Sequence, residues 1–395
     1  MHNQSRNFLP DNSDLQENIK MFFFKHILSV CLLGCSLLIF AGEKEKVKSC
    51  VENSLKAGFN ADWKKVKTFC SDDYVKIGEN QKVLDRKFLE NAVVYFDRIN
   101  DPNLTFSELV KLNFMIKGQP LDEKQLENYR KLDSTERGKT MVRQAQSQTR
   151  TALDDIRKLA NELATKVEYG PMHLKDNLAV WFYKFDYGVK YKGVLLLRKE
   201  KGSWKIYREF SSIDKSGKTD VAVESEVRKF ALNIQNISRN FSSWKDFMND
   251  SSPECISVMP DGSRIDYSLA EKKSKFLDMV EKGNPTMVQA GPVLMEAFGK
   301  KVTAEMLAQF ADMDKSGKGK AWLKQYKDSA VQSRENLRKS ADDYQIKDIF
   351  VFEDCALLID NITLIRTGRI EKISFIKKYQ GKYLIYRSVS RKIKK

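Results

Sequence analysis

The feature that constrains this chain most is an internal repeat. Shifting the sequence by 181 residues superposes the segment from Trp63 onto that from Trp244 without a gap over more than a hundred positions. Trp63 falls on Trp244, Lys64 on Lys245, Ser71 on Ser252, Asp85 on Asp266, Glu90 on Glu271 and Asp97 on Asp278. Further along, Gly118 falls on Gly299, Asp133 on Asp314, Gly138 on Gly319, Lys158 on Lys339 and Ala160 on Ala341. Apolar positions keep their type, as in Val66 and Phe247, Val75 and Ile256, Ile77 and Val258. Order, spacing and type preserved together mean one domain occurring twice. At 395 residues, each copy is long enough to bury a core of its own.

Both copies read with the same coarse plan. An amphipathic helix opens each, and a second short helix carries the Trp. A short strand follows (DYVKIG, ECISVM), then a turn at Asn80 or at Asp261-Gly262, then a helix over about 85–98 and 268–282. Helical patterning continues over 104–168 and 285–345. Each copy closes on strands, NLAVWFYKFDYG, YKGVLLLRKEKG and SWKIYREF in the first, ALLIDNITLIRTG, IEKISFIKKYQG and YLIYRSVS in the second. Alternating apolar residues and Gly-marked turns predict antiparallel hairpins. The expected fold class is α+β, with domain 1 over 43–212, a polar linker over 213–222 and domain 2 over 223–395.

The closing strands, KEKGSWKIYREFSS and KKYQGKYLIYRSVSR, each run from a lysine-bearing strand through a Gly turn into an aromatic strand ending near Ser. With the Trp-bearing helix pair, short strand and third helix, this resembles the SnoaL-like superfamily, also called nuclear transport factor two-like. The resemblance implies two tandem domains, each a curved antiparallel sheet wrapped around helices, with a conical cavity lined by the concave face. Some members are isomerases or dehydratases with an Asp, Tyr or His in that cavity, and many are binding or dimerisation modules. Ordinary members lack the helical insertions, and the fold alone does not choose a function.

From Met21 the chain reads MFFFKHILSVCLLGCSLLIFAGEKEK, in which Lys25 and His26 precede an uncharged run from Ile27 to Gly42. That is the plan of a signal peptide over 21–42, short for a permanent span although usable as an anchor. Residues 1–20 are polar and aperiodic, so the native start is expected at Met21. Two processing readings compete: cleavage after Ala41 or Gly42, and lipidation of Cys35 in the lipobox-like Leu32-Leu33-Gly34-Cys35. Either places the mature protein in the periplasm, the cell envelope or outside the cell.

Lys and Arg number 69 against 53 Asp and Glu, a formal charge of +16, mostly dispersed among acidic residues along helices. Only Arg391, Lys392, Lys394 and Lys395 form an unbalanced run. Dispersed charge gives no specific nucleic-acid signature, though binding of an anionic polymer or membrane surface stays open on charge alone. No cofactor is implied. With His173 the sole histidine of the two domains, a His-based zinc site or a Ser-His-Asp triad is excluded as an expectation. DMDKSGKGKAWL (312–323) begins like a calcium loop but ends on Leu323 where a bidentate Glu is required. SSIDKSGKT (211–219) has Ser212 where a phosphate loop needs its first Gly.

Asp85 and Asp266 recur just before the third helix, as helix caps or as cavity acids. Trp181, Tyr183, Phe185 and Tyr187 share one strand face, which either packs on the helices or lines a ligand cavity. Near that place the second copy has Ile359, Asn361, Thr363 and Ile365, so an aromatic pocket is not expected in both. Cys50, Cys70, Cys255 and Cys355 suit one disulfide per domain in an exported protein, or four buried thiols. The leading expectation is a non-enzymatic exported protein binding a small molecule or protein partner. The alternative is an enzyme whose active cavity lies in the aromatic-rich first copy.

Overall fold

The computed structural model describes residues 42–60, 62–78, 82–164, 167–186, 189–213, 221–364 and 368–393. The apolar segment with Cys31 and Cys35, Asn80, the side chain of Phe185, Tyr187, most of the linker, and Lys394 and Lys395 lie outside the described residues. Among those described, no helix is long and apolar enough to cross a membrane.

The chain divides into two compact units at Asp214 and Lys215. Unit 1 runs α1 (Glu43–Phe59), α2 (Trp63–Phe69), β1 (Cys70–Ile77), β2 (Val83–Asp85), α3 (Arg86–Arg98), α4 (Phe106–Ile116), α5 (Glu123–Arg130), α6 (Glu136–Ala164), β3 (Val167–Lys175), β4 (Leu178–Asp186), β5 (Lys190–Glu200) and β6 (Ser203–Ile213). Unit 2 repeats that order. It runs α7 (Glu224–Asn240), a 3₁₀ turn (Trp244–Met248), β7 (Ser251–Val258), β8 (Arg264–Asp266), α8 (Tyr267–Lys282), α9 (Met287–Ala297), α10 (Ala304–Lys315), α11 (Lys318–Asp342), β9 (Gln345–Phe352), β10 (Cys355–Leu364), β11 (Gly368–Tyr379) and β12 (Lys382–Lys392).

Several residues of the repeat are there to make these elements start and stop. Asp85 accepts from Phe88 N and Asp266 from Leu269 N, both at 2.8 Å, so each caps its helix. A helix N-terminus leaves backbone donors unpaired, and such a cap stabilises by about 1 kcal/mol. Asp133 accepts from Ser107 N and Ser107 Oγ, both at 2.7 Å, and Asp314 accepts from Met287 N at 2.7 Å and Val288 N at 3.0 Å. Asp133 thus ties the start of α4 to the turn before α6, and Asp314 ties the start of α9 to the last turn of α10. Gly138 and Gly319 allow that close approach: a Cβ would lie 2.0 Å from Leu132 O at the first, and 2.6 Å from Met287 Cγ at the second. The calcium-like stretch is therefore a helix-to-helix turn, with Gly317 at φ +72° and the Asp314 carboxylate already taken.

Each unit has one six-stranded sheet, in the orders β2-β1-β6-β5-β4-β3 and β8-β7-β12-β11-β10-β9. Four of the pairings in each are antiparallel, including the expected hairpins of the closing strands, while β1 with β6 and β7 with β12 are parallel. The intervening helices give the long connection that parallel neighbours require. A register shift falls at Leu196/Leu197 in one sheet and at Phe375/Ile376 in the other. An irregularity of this kind bends a strand and raises its twist, which curves the sheet. Beside it, buried Arg208 donates to Asp73 O and Tyr207 O, and buried Arg387 donates to Glu254 O and Tyr386 O. The same guanidinium thus ties the last strand to the first strand of each copy.

The cores differ. In unit 1, one continuous apolar cluster joins Val51 of α1, Trp63, Tyr95, Leu112 and Ala145 to Trp181, Tyr183, Leu195 and Ile206 of the sheet. In unit 2, α7 and the sheet form one cluster (Val227, Ala231, Leu358, Ile376, Ile385), while α8 to α11 form another (Phe276, Leu294, Phe310, Leu323).

Candidate functional site

Strand registers place the two concave faces in correspondence residue by residue. Lys76 pairs with Glu209 across β1 and β6 where Ser257 pairs with Ser388 across β7 and β12. Glu209 pairs with Leu195 where Ser388 pairs with Ser374. Leu195 and Gly193 pair with Trp181 and Tyr183, where Ser374 and Lys372 pair with Leu358 and Asp360. On β1, Tyr74 stands where β7 has Cys255, and Tyr169 pairs with Tyr183 where Ile346 pairs with Asp360. Except for Gly193, replaced by Lys372, every position carries a smaller side chain in unit 2.

Unit 1 fills its concave face with its own polar side chains. Lys76 Nζ lies 2.6 Å from Glu209 Oε1, with the two side chains 1% and 6% exposed. Tyr183 donates to the same oxygen at 3.3 Å, and Tyr74 is hydrogen-bonded to Glu209 as well. Burial, with the negative charge of Glu209 beside it, pushes the Tyr74 hydroxyl well above its usual range. Gly193 makes this possible: a Cβ there would lie 2.3 Å from the Tyr183 ring, which crosses β5 to reach Glu209. An ion pair out of water is stable only when its remaining valences are satisfied, and here two phenols help to satisfy them.

Unit 2 has the opposite character. Ser257 and Ser388 share one hydrogen bond of 2.8 Å where unit 1 has the ion pair. Ser374, completely buried, has no hydrogen-bond partner for its Oγ. Asp360 is 3% exposed and accepts from Tyr344 Oη at 3.4 Å, and Lys372 lies opposite it in register. Burial pushes the Asp360 carboxyl up to about 6, against the pull of Lys372 and the Tyr344 hydrogen bond. Ser257, Tyr344 and Lys372 are partly exposed, so the polar end of the face reaches solvent. A buried acid with a raised pKa near a buried hydroxyl without a partner makes this face the candidate functional site.

The sequence-based site residues fall elsewhere. Trp181 and Tyr183 are buried in the packed core of unit 1, and Trp181 stacks on Tyr169 at 4.4 Å between ring centroids. Cys50, Cys70, Cys255 and Cys355 are buried, with free thiols. Cys50 donates to Trp204 O at 3.2 Å, and burial pushes its thiol up to about 12. Among the described residues no three His, Cys, Asp or Glu converge as metal ligands. Sequence reasoning missed Asp360, Ser374, Ser388 and Ser257. Their signal was a lone Asp inside the apolar run ALLIDNITL and small polar residues replacing bulky ones in the repeat.

No protein-family model matches the chain, and no curated protein matches it. Solved structures do. An NTF2-like protein of unknown function from Shewanella baltica matches at 9% identity and TM-score 0.22, covering 46% of this chain and 100% of its own. A ketosteroid isomerase-like protein from Erwinia carotovora atroseptica matches at 14% identity and TM-score 0.21, covering 45% and 100%. An NTF2-like protein from Cytophaga hutchinsonii matches at 8% identity and TM-score 0.20, covering 44% and 99%. The α+β plan in tandem rests on the two sheets and their shared strand order.

Proposed function

We propose that this chain is a non-catalytic binding protein, exported by its N-terminal apolar segment, whose second domain holds a small-molecule site while the first is a filled scaffold. The observation that carries the reading is the exchange of Lys76, Glu209, Tyr183 and Leu195 for Ser257, Ser388, Asp360 and Ser374 at equivalent places. In the first domain Lys76, Glu209 and Tyr183 are bonded to one another. In the second, a serine hydroxyl is left unpartnered and an acid is held above its ordinary pKa, each a cost that packing alone would have removed. This moves the site from the aromatic strand of the first copy to the polar face of the second. A binding reading is preferred to catalysis because the Asp360 carboxylate is already engaged by Tyr344 and lies opposite Lys372.

Native mass spectrometry of the full chain isolated from its own cells tests the reading. A retained small molecule is expected. It should be lost when the filling of the first domain is transplanted by D360Y, K372G, S388E and S257K together, and also in the single variant S374L. A retained molecule that survives S374L, or a chain that never carries one, would contradict the site. Export is tested by fractionation: the chain should leave the cytoplasm only when residues 21–42 are present.

A further inference from the structure

We infer that the concave face of the second domain takes a carboxylate carried on an apolar body, with its head among Ser374, Ser388, Ser257 and Lys372. This rests on the reading that the face binds a ligand, and adds the chemistry of that ligand. The polar groups divide by what they can still give. Ser374 Oγ is buried with no partner, and a hydroxyl in that state retains a proton to donate. Ser257 and Ser388 are hydrogen-bonded to each other at 2.8 Å, with Cys255 Sγ 4.0 Å from Ser257 Oγ, so the pair adds hydroxyls rather than charge to this end of the face. Lys372 adds a positive charge at the partly exposed end.

The acceptor side is already engaged. Asp360, the acid of this face, accepts from Tyr344 and lies opposite Lys372. What the face lacks is an acceptor, and a negatively charged one gains most from hydroxyls and an ammonium in a poorly solvated place. A carboxylate fits two or three such donors. An amine would meet Lys372 and find the serine protons facing it. Asp360 can give up its charge to accommodate a neighbouring anion, since its carboxyl already stands at about 6. Beyond the polar end the same face continues as Leu358, Ile376 and Ile385, packed with Val227 and Ala231 of α7, so the surroundings on that side are mainly apolar.

Octanoate, octanol and octylamine share a body and differ in the head. Their binding to the full chain can be compared by isothermal titration calorimetry at neutral pH. Octanoate is expected to bind at least about tenfold more tightly than the other two, a gap that charge-assisted hydrogen bonds readily supply. Lys372→Met and Ser374→Ala should each weaken octanoate about tenfold, and Tyr183→Phe in the first domain should leave it unchanged. Octanol or octylamine binding as tightly as octanoate, with that binding abolished by S374L, would overturn the carboxylate while leaving the site in place. If none of the three binds, the head group of the molecule retained in the native mass spectrum decides. A carboxylate there upholds the inference. Any other head overturns it, and no retained molecule overturns both it and the binding reading.

Discussion

Lys76 and Asp360 show how differently the two copies treat charge in an interior. Lys76 and Glu209 are removed from water together, so truncating one leaves the other buried and unpaired. K76M is expected to destabilise the chain by about 3–5 kcal/mol in urea unfolding, whereas the double variant K76S/E209S should cost clearly less. The second domain already uses that serine pair at 2.8 Å. A double variant as damaging as K76M would mean that the pair itself, and not the uncompensated charge, matters. Asp360 works in the other direction. Its folded carboxyl stands at about 6 against an ordinary 3.8, so the native state keeps a proton that the unfolded chain releases between those values. Stability should therefore fall as pH rises from about 4 to about 6 and level off above, a loss of at most about 3 kcal/mol. D360N should raise the melting temperature at neutral pH and remove that slope. An unchanged slope would place the titration elsewhere.

At the scale of elements, the helices and strands were legible because their periods were clean, and the repeat supplied each boundary twice. Register within the strands was not. The offset of 181 residues holds through β1 and β7, but Arg208 corresponds to Arg387 and Tyr183 to Asp360, so the offset has shrunk by four residues at β4 and β10. Reading β10 one residue off picked Ile359 and Asn361, on the wrong face, instead of Leu358 and Asp360. A slip of one residue turns every side chain of a strand to the other side, which is why the polar face stayed hidden in the sequence. Parallel pairing of the first and last strands was equally invisible, since a connection of four helices and four strands separates them in the chain. The insertions read as helices, yet their attachment shows only in three dimensions. Arg334 of α11 makes two bonds of 2.7 Å to Glu281 of α8, lies 4.2 Å from the Phe241 ring centroid, and Glu281 in turn accepts from Trp244 Nε1 at 2.7 Å. R334M should cost about 3 kcal/mol and raise hydrogen exchange in α11 more than in β10 to β12. Equal exposure of both would mean that insertion and sheet unfold as one.

Over the whole molecule, duplication preserved what builds the domain and released what fills it. The capping aspartates, the close-packed glycines and the strand-tying arginines occur in both copies. The concave faces diverged, one toward a self-satisfied ion pair and aromatic core, the other toward small hydroxyls around an acid. The four thiols belong to the packing: unfolding the mature chain without reductant should expose Cys50, Cys70, Cys255 and Cys355 to alkylation, and a chain taking up fewer labels would hold a disulfide. The central claim is that binding resides in the second domain while the first serves as scaffold. Hydrogen-exchange mass spectrometry, comparing the chain as isolated with the same chain stripped of its retained small molecule, tests this most directly. Slowed exchange confined to β7 and β10 to β12 is the predicted result. Protection centred on β4 to β6 of the first domain would contradict it.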